Sequence, residues 1–524
     1  MPTPRSSKLS TALAWAVLSG ILYGLAFPPL DLWPLAFVSA APLLIALHRR
    51  SPKQALAIGA AQGLIANVAC GTWLPSVIRT FGELPWFVCG LFAFFVCLYA
   101  SGRAASLAWL AARAEKNGWP KGLALVLAFA GSEALYPLLF PWYAAVQVHR
   151  VPVLMQLAEL GGPVLVGIPL LMAGIAVAEP IWARMDGRPV DRRRVQLALA
   201  GPVLMGLFGA VRIPMIRARI AAAPAARVAL VQGNLPHTGA SLQEALDAHR
   251  DATARVLAKE PVDLVVWPET ALNDVVGEPL LEPTLRGVTS AAHGSAAISA
   301  PLLTGALVQR SIGTTNSAAL FAKGHLQGTY DKVHPLAFGE YIPFGDLFPA
   351  LYTLIPNAGH LTRGTSEEPL LLGDAAGHRI SPLICYEDIL ASPANHAIAT
   401  ASPDLLVNLT NDSWFGDSSA AKMHFALASF RAVEHRRYLV RASNSGVSGF
   451  IDPTGTVRGT TPMLEAATRV GTVHWMRTVT VYERLGDAPW WCAALVILAM
   501  AFVPRRAFAR VERFGVTPSA AARV

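Results

Sequence analysis

Long apolar runs constrain this chain more than any other feature, because a soluble domain cannot bury them all. Hydrophobic residues make up 53% of the sequence and charged residues only 15%. Uninterrupted apolar stretches of this kind are typical of membrane-spanning helices. We therefore predict eight spans, seven before a long polar region and one after it: 9–27, 32–47, 55–78, 84–102, 122–146, 160–178, 195–211 and 488–503.

Basic residues in the loops between these runs predict the orientation in the membrane. They cluster in alternate loops, as in 184–194, whereas the short loops on the other side contain only Arg79 and Arg150. Cytoplasmic loops carry the excess of Lys and Arg, so we expect both termini in the cytoplasm and the polar region outside the inner membrane. Some arginines after the seventh run do not fit this rule: Arg212, Arg217 and Arg219.

The same reasoning divides the chain into three parts. We predict a transmembrane domain at 1–220, an outer polar domain at 221–486, and a last span with a cytoplasmic tail at 487–524. The formal net charge of +9 comes largely from membrane loops, which favours a membrane as partner and argues against nucleic acid.

The polar domain alternates strand and helix patterns, which predicts an α/β fold. Short apolar runs rich in β-branched residues predict the strands, and longer amphipathic segments predict helices at 241–259 and 420–437. The predicted strands are 228–232, 263–267, 302–307, 318–322, 328–330, 380–384, 404–408 and 438–442.

Cys385 is the only cysteine outside the apolar runs. It follows the apolar stretch 379–384, so its thiol is expected at the point where a buried strand opens into a turn. A free thiol in a domain facing an oxidising compartment favours a reactive role, although a buried cysteine is also an ordinary core residue.

Glu269 and Lys332 also follow predicted strands, and they supply what a cysteine nucleophile needs. A base must remove the thiol proton, and a cation must stabilise the oxyanion that forms on the attacked carbonyl. Each residue has an ordinary alternative, a solvated loop carboxylate and a surface lysine. A catalytic cysteine–histidine pair remains an alternative, with the histidine supplied by one of three residues: His334, His424 and His435.

Two polar residues inside the apolar runs have alternatives of their own. Glu133 and Asn67 are substrate contacts, structural hydrogen-bonding groups, or signs that the boundary of a predicted span is misplaced.

Several motifs together resemble the nitrilase, or carbon–nitrogen hydrolase, superfamily. They are Trp267-Pro268-Glu269, Tyr330-Asp331-Lys332 followed by Phe-Gly-Glu-Tyr-Ile-Pro at 338–343, and Cys385-Tyr386-Glu387. The stretches Val-Ala-Leu-Val-Gln-Gly-Asn at 228–234 and Asn-Leu-Thr-Asn-Asp-Ser-Trp-Phe-Gly at 408–416, with the multi-span N-terminal half, narrow the resemblance to the apolipoprotein N-acyltransferase family.

This resemblance implies an αββα sandwich beside a polytopic helical membrane domain. It also implies Glu269 as proton acceptor, Lys332 as oxyanion stabiliser and Cys385 as nucleophile. Supporting residues carry over as well: Glu340, Tyr386 and Glu387. The chain departs from the family in having Ala337 where a proline is usual, and in lacking a tryptophan soon after 232–234.

The resemblance further implies a two-step acyl transfer without cofactor or metal. Cys385 takes an acyl chain from a phospholipid, by resemblance the sn-1 chain of phosphatidylethanolamine, and passes it to the α-amine of a diacylglyceryl-cysteine on an apolipoprotein. Segments 338–358 and 414–416 are candidate lid arms. The alternatives are a membrane-anchored amidase acting on a small amide, and a scaffold that only binds lipoproteins.

Overall fold

The computed structural model describes residues 8–236, 241–290, 297–353, 355 and 357–506. The predicted cytoplasmic tail therefore lies outside the described residues from 507 onward. An N-terminal helical half comes first, and its helices are α1 Leu9–Ala26, α2 Ala40–Ala46, α3 Pro52–Cys70, α4 Leu74–Gly82, α5 Trp86–Lys116, α6 Lys121–Leu135, α7 Pro152–Met155, α8 Ala158–Asp186 and α9 Arg192–Ala222, with 3₁₀ helices at Trp33–Phe37 and Ala144–Val148.

The α/β half follows α9 directly. Its strands are β1 Ala225–Gln232, β2 Leu264–Val266, β3 Val275–Gly277, β4 Leu302–Arg310, β5 Gly313–Ala322, β6 His325–Asp331, β7 Leu370–Leu371, β8 Arg379–Ile384, β9 Leu405–Thr410, β10 Leu439–Ser443, β11 Gly449–Ile451, β12 Val457–Arg458 and β13 Ala467–His474. Its helices are α10 Leu242–Leu257, α11 Glu278–Thr289, α12 Ala391–Ala401 and α13 Ala420–His435, with 3₁₀ helices at Pro349–Thr353, Cys385–Ile389 and Asp412–Phe415. The chain then returns to the helical half through α14 Val481–Leu485 and α15 Ala488–Phe502.

Four helices in the described part of the chain are long and apolar enough to cross a membrane, namely α1, α5, α8 and α9. The pair α3 and α4 passes the same test together but bends by 68°, which makes five if the pair is one span. The predicted run 32–47 forms only short helices, and α15 is also shorter than a typical span of ~20 residues. The count of eight spans stays a prediction.

The run 122–146 does not form one helix. Helix α6 ends at Leu135, and Tyr136 is extended with ψ of 118°. Pro137 follows, and a residue before proline is pushed out of the helical region by the proline ring. The chain then passes through an irregular segment, 136–143, before the 3₁₀ helix Ala144–Val148. This break brings aromatic residues of the membrane half toward the α/β half.

Every strand predicted from the sequence is present, with shifts of a few residues at its ends. The sequence missed short or edge strands, namely β3, β7, β11, β12 and β13. In β13 only Val473 is buried, and the other residues are half-buried or exposed, so the strand gives little apolar signal. The helix predicted at 241–259 is α10, whose first turn is capped by Ser241 and Glu244 in a capping box.

Two sheets pack face to face and form the core of the α/β half. The first sheet has the order β13-β1-β2-β4-β5-β6, with β3 beside β4, and the second has the order β12-β11-β10-β9-β8-β7. Val228 and Leu264 of the first sheet pack in one cluster with Ile384 and Val407 of the second. Helices α10 and α11 cover one outer face, and α12 and α13 cover the other. The predicted αββα sandwich is confirmed.

A buried ion-pair network joins the two halves and explains Arg212, which did not fit the orientation rule. Glu159 in α8 accepts hydrogen bonds from Arg212 Nε at 2.6 Å and from Arg436 Nε at 2.6 Å. Beside it, α8 is kinked at Gly162, whose φ is +64° and whose missing Cβ leaves room for the Tyr482 ring. The arginine is therefore a structural partner of a buried carboxylate.

Candidate active site

Cys385 lies at a sharp turn between β8 and the 3₁₀ helix Cys385–Ile389. Its φ is +51°, a left-handed conformation that is costly for a residue with a side chain. Burial raises the pKa of the Cys385 thiol well above its ordinary value, the Glu269 carboxylate raises it further, and Lys332 partly offsets both. The sulfur is therefore a neutral thiol at rest, and it needs a base as it attacks.

Glu269, the base predicted from the sequence, follows β2, and its carboxylate is held from two sides. Oε1 accepts from the amide of Asn316 at 2.7 Å, and Oε2 accepts from the backbone N–H of Asn411 at 2.6 Å. Burial raises the pKa of Glu269, and Lys332 opposes that rise. Gly305 in β4 permits this packing, since a Cβ there would lie 2.5 Å from the Glu269 Cα.

Lys332 follows β6 and is 2% exposed. Its Nζ lies 2.7 Å from Glu340 Oε2 and 3.7 Å from Glu269 Oε1. Burial lowers the pKa of Lys332, but the two carboxylates outweigh burial and raise it above the ordinary lysine range. The ammonium is therefore charged at neutral pH and is fixed in position, as an oxyanion stabiliser must be.

Asn316 is a site residue that the motifs did not reveal. Its amide nitrogen donates to Glu269 Oε1 at 2.7 Å and to Glu340 Oε1 at 3.0 Å, so it links the two carboxylates that flank Lys332. Asn316 lies inside β5 and is 3% exposed. A buried amide in the middle of a strand was the only signal that could have found it.

Glu387 connects the turn at Cys385 to the end of β6. Its Oε1 accepts from the Tyr330 hydroxyl and from the backbone N–H groups of Val333 and His334, and its Oε2 accepts from the Ile384 N–H at 2.8 Å. Burial raises the pKa of Glu387 to about 7, against the lowering effect of Lys332 and of these donors. Its contacts are those of a structural clamp.

Glu387→Gln should destabilise the fold by about 1–3 kcal/mol. The glutamine oxygen can take the position that receives three donors, but its NH₂ group then faces the N–H of Ile384 without an acceptor. Thermal unfolding of the purified full chain in detergent measures the loss. The matched control is Glu278→Gln, whose side chain is 53% exposed beside Arg310. Equal shifts in Tm for the two variants would contradict the clamp.

Residues from both halves line an aromatic cavity next to Cys385. Tyr386 contacts the Phe140 ring at 6.0 Å between centroids, and its hydroxyl donates to the Leu139 carbonyl. The remaining lining residues include Trp73, Trp142, Leu336, Phe415 and His424. The enclosed volume is about 30 Å³, well below the ~300 Å³ of a typical ligand pocket. A lipid chain can enter only if the lining moves.

Both predicted lid arms lie at this cavity or against α4. Trp414 stacks on Phe81 with centroids 4.8 Å apart, and the Asn357 amide donates to the Thr80 carbonyl at 3.1 Å. The arm 338–358 carries large exposed apolar side chains, with Phe344 75% exposed. Within that arm, Leu354 and Pro356 lie outside the described residues.

The two polar candidates inside the apolar runs, Glu133 and Asn67, both have hydrogen-bonding partners within the helical half. Glu133 contacts Arg103 at 3.2 Å and accepts from the Ala144 N–H at 3.2 Å, which ties α6 to the segment after its break. The Asn67 amide donates to the Gly63 carbonyl one turn earlier in its own helix. Both contacts fit the structural alternative.

None of the three histidines is placed as a base for Cys385. The imidazole of His334 lies 3.6 Å from Glu367, and that of His435 is buried beside Glu434 and Glu483. His424 lines the cavity, but both of its ring nitrogens contact aspartates. The described residues contain no group of three or more His, Cys, Asp or Glu arranged to hold a metal.

Two protein-family profiles together match most of the chain. The family profile described as apolipoprotein N-acyltransferase N-terminal domain matches residues 19–176, and the carbon–nitrogen hydrolase profile matches 227–476. Among solved structures, an amidase from Nesterenkonia sp. AN1 aligns with 51% of this chain and 98% of its own, at 20% identity and a TM-score of 0.37.

Two full-length relatives are both named apolipoprotein N-acyltransferase. The protein of Geobacter metallireducens is 33% identical over 504 residues, covering 93% of this chain and 94% of its own. The protein of Azotobacter vinelandii is 32% identical over 510 residues, covering 94% and 95%. This similarity extends through the helical half as well as the sandwich, so the chain belongs to the apolipoprotein N-acyltransferase family.

Proposed function

We propose that the chain transfers an acyl chain from a phospholipid to the N-terminal amine of a diacylated apolipoprotein through a thioester on Cys385. One observation carries this proposal. Glu269, Lys332 and Cys385 converge beside a cavity whose walls come from both the sandwich and the membrane half. A lipid-anchored substrate can reach such a site by diffusing within the bilayer.

The first step forms the thioester. Glu269 takes the proton from the Cys385 thiol as the sulfur attacks the ester carbonyl carbon of the phospholipid. The oxyanion that results lies between Lys332 Nζ and the backbone N–H of Tyr386. When this intermediate collapses, the ester C–O bond breaks, and the proton on Glu269 passes to the leaving alkoxide. A lysophospholipid departs and the acyl chain stays on sulfur.

The second step forms the amide. The α-amine of the diacylglyceryl-cysteine attacks the thioester carbonyl, and Glu269 accepts the proton that the amine loses. The oxyanion again lies against Lys332, the C–S bond breaks, and the Cys385 sulfur recovers its proton from Glu269. Water in place of the amine would waste the thioester, so the small aromatic cavity serves the transfer by excluding water.

The donor and the topology follow the same reasoning. The donor is the sn-1 chain of a phosphatidylethanolamine-like lipid, and the chain is a multi-pass protein of the inner membrane. The transmembrane domain is 1–220, the catalytic domain 221–486 is periplasmic, and the last span with its tail is 487–524. The exposed apolar side chains of the 338–358 arm, Phe344 and Leu347 among them, enter the outer leaflet and guide lipids to the cavity.

Mass spectrometry of a reporter lipoprotein tests the function. In cells depleted of the endogenous activity, the wild-type chain should restore the N-acylated reporter, and Cys385→Ser should leave it diacylated. The wild-type chain should also carry a long acyl group that hydroxylamine releases. Equal acyl counts with the two chains would contradict the proposal. Release of ammonia from small amides without acyl transfer would indicate the amidase instead.

A further inference from the structure

A buried cluster of charged residues lies behind Cys385, and the steps above do not use it. It consists of Asp388 in the 3₁₀ helix, Asp412, His424 in α13 and Arg441 in β10. These side chains are at most 7% exposed, and two aspartates balance two cations. We call these four residues the charged quartet.

The quartet is closed by reciprocal contacts. His424 lies 3.0 Å from Asp412 Oδ1 through Nδ1 and 2.8 Å from Asp388 Oδ1 through Nε2. Arg441 donates to the second oxygen of each aspartate, and its Nη1 also donates to Asn408 Oδ1 at 2.7 Å. Burial and Arg441 lower the pKa of His424, but the two aspartates outweigh them and raise it to about 9. Both ring nitrogens therefore carry protons.

The quartet and Asn408 meet at a single backbone atom, the carbonyl oxygen of Cys385. His424 Nε2 lies 3.4 Å from that oxygen, and Asn408 Nδ2 also lies 3.4 Å from it. Asn408 Nδ2 also donates to the Leu383 carbonyl at 2.8 Å, so it holds the end of β8 as well. The backbone on both sides of Ile384 is thus anchored from behind.

Because the peptide bond is planar, holding the Cys385 carbonyl also fixes the direction of the Tyr386 N–H. In a trans peptide the C=O and the next N–H point in opposite directions. Holding the Cys385 carbonyl toward Asn408 and His424 therefore turns the Tyr386 N–H away from them. That N–H belongs to the first turn of the 3₁₀ helix, where amide groups have no partner within the helix. It remains available as an oxyanion donor.

We propose that the charged quartet is a positioning network, which holds the Cys385 carbonyl and thereby directs the Tyr386 N–H at the oxyanion of both steps. The inference rests on the proposed acyl transfer. A buried ion network costs desolvation free energy that an apolar core would not. The quartet contacts the backbone at Cys385, a non-glycine residue held in a left-handed conformation, and holding that residue is the role that we assign to the network. Asp388, Asp412 and Arg441 lie behind the turn, and only His424 also lines the cavity.

The test separates oxyanion stabilisation from thiol reactivity. The double variant Asp388→Asn, Arg441→Met removes one negative and one positive charge and leaves the cavity wall unchanged, because His424 is kept and remains paired with Asp412. Acylation of Cys385 by phospholipid requires the oxyanion, whereas alkylation by iodoacetamide requires only the sulfur nucleophile. In the full chain in detergent, acylation should slow by at least ~10-fold while the alkylation rate stays unchanged. His435→Gln, buried in the same helix, is the control and should keep both rates.

Other outcomes would contradict either the positioning role of the quartet or the proposed function. A parallel fall in acylation and alkylation would overturn the inference, because the quartet would then serve the thiol or the fold. Unchanged acylation would overturn it as well. Should the double variant fail to fold, Asn408→Ala decides by the same two rates, since it leaves every ion pair of the quartet intact. A wild-type chain that alkylates but never acylates would instead contradict the proposed function itself.

Discussion

Glu269→Gln is expected to slow formation of the Cys385 thioester by ~10³-fold, the middle of the range for losing a positioned general base. The thiol pKa is raised by burial and by the Glu269 carboxylate, so little thiolate exists without a base. Glutamine keeps the size of the side chain but cannot accept the proton. Single-turnover acylation, followed by intact-protein mass spectrometry, measures the change.

The pH dependence of the acylation rate distinguishes Glu269 from the other carboxylates of the domain. The base acts when deprotonated, and burial raises the pKa of Glu269 above the ordinary glutamate value. The acylation rate of the wild-type chain should therefore be low at acidic pH, where Glu269 is protonated, and should rise as the pH passes through that raised pKa. The glutamine variant should lose this limb. An exposed carboxylate of the same domain, changed in Glu278→Gln, should keep it. A wild-type limb that survives in Glu269→Gln would exclude Glu269 as the base.

The three residues predicted to be catalytic were found from the sequence because each lies at or just beyond the end of a strand. Glu269, Lys332 and Cys385 come after β2, β6 and β8, and short apolar runs locate strand ends well enough to place a side chain near a cleft. The motif resemblance then connected them. The αββα sandwich was predicted from that resemblance, since the apolar pattern alone indicates an α/β fold without specifying two sheets.

The supporting residues could not be predicted in the same way, because their roles depend on contacts between distant segments. Asn316 reaches one carboxylate 47 residues away in sequence and another 24 residues away. Arg441 reaches Asp388 across 53 residues. Nothing in the local pattern around either residue indicates such partners. Charged residues within an apolar strand such as β10 were the available signal for the quartet.

In the membrane half, the composition located the apolar runs but not the points at which the helices break. Proline after Tyr136 ends α6, and the 68° bend separates α3 from α4 at Gly71. Residues next to these breaks, Trp73, Phe140 and Trp142, line the cavity at Cys385. Continuous helices would have carried these rings away from the sulfur.

Lys332→Met is expected to slow thioester formation by ~10³-fold, because it removes the proposed charged oxyanion donor from a buried site. It should also destabilise the fold by about 3–5 kcal/mol, the usual cost of removing one partner from buried ion pairs. Lys323→Met is the control, since Lys323 is an exposed lysine of the same domain whose Nζ donates only to the Gly373 carbonyl among its described contacts. It should keep activity and Tm.

The destabilisation of Lys332→Met should depend on pH in a direction that identifies its cause. Without the ammonium, burial and the Glu340 carboxylate remain to raise the pKa of Glu269, and the lowering effect of Lys332 is gone. A carboxyl whose folded pKa lies above its unfolded value of ~4.3 contributes stability that is lost as pH rises through the folded pKa. In the wild-type chain the Lys332 pKa is itself raised, so the ion pairs persist through neutral pH. The difference in Tm between wild type and variant should therefore be smaller at pH 5 than at pH 8. An equal difference in Tm at the two pH values would mean that Lys332 acts on the fold by packing, and a difference that grows toward acid would contradict neutralisation of the two flanking carboxylates.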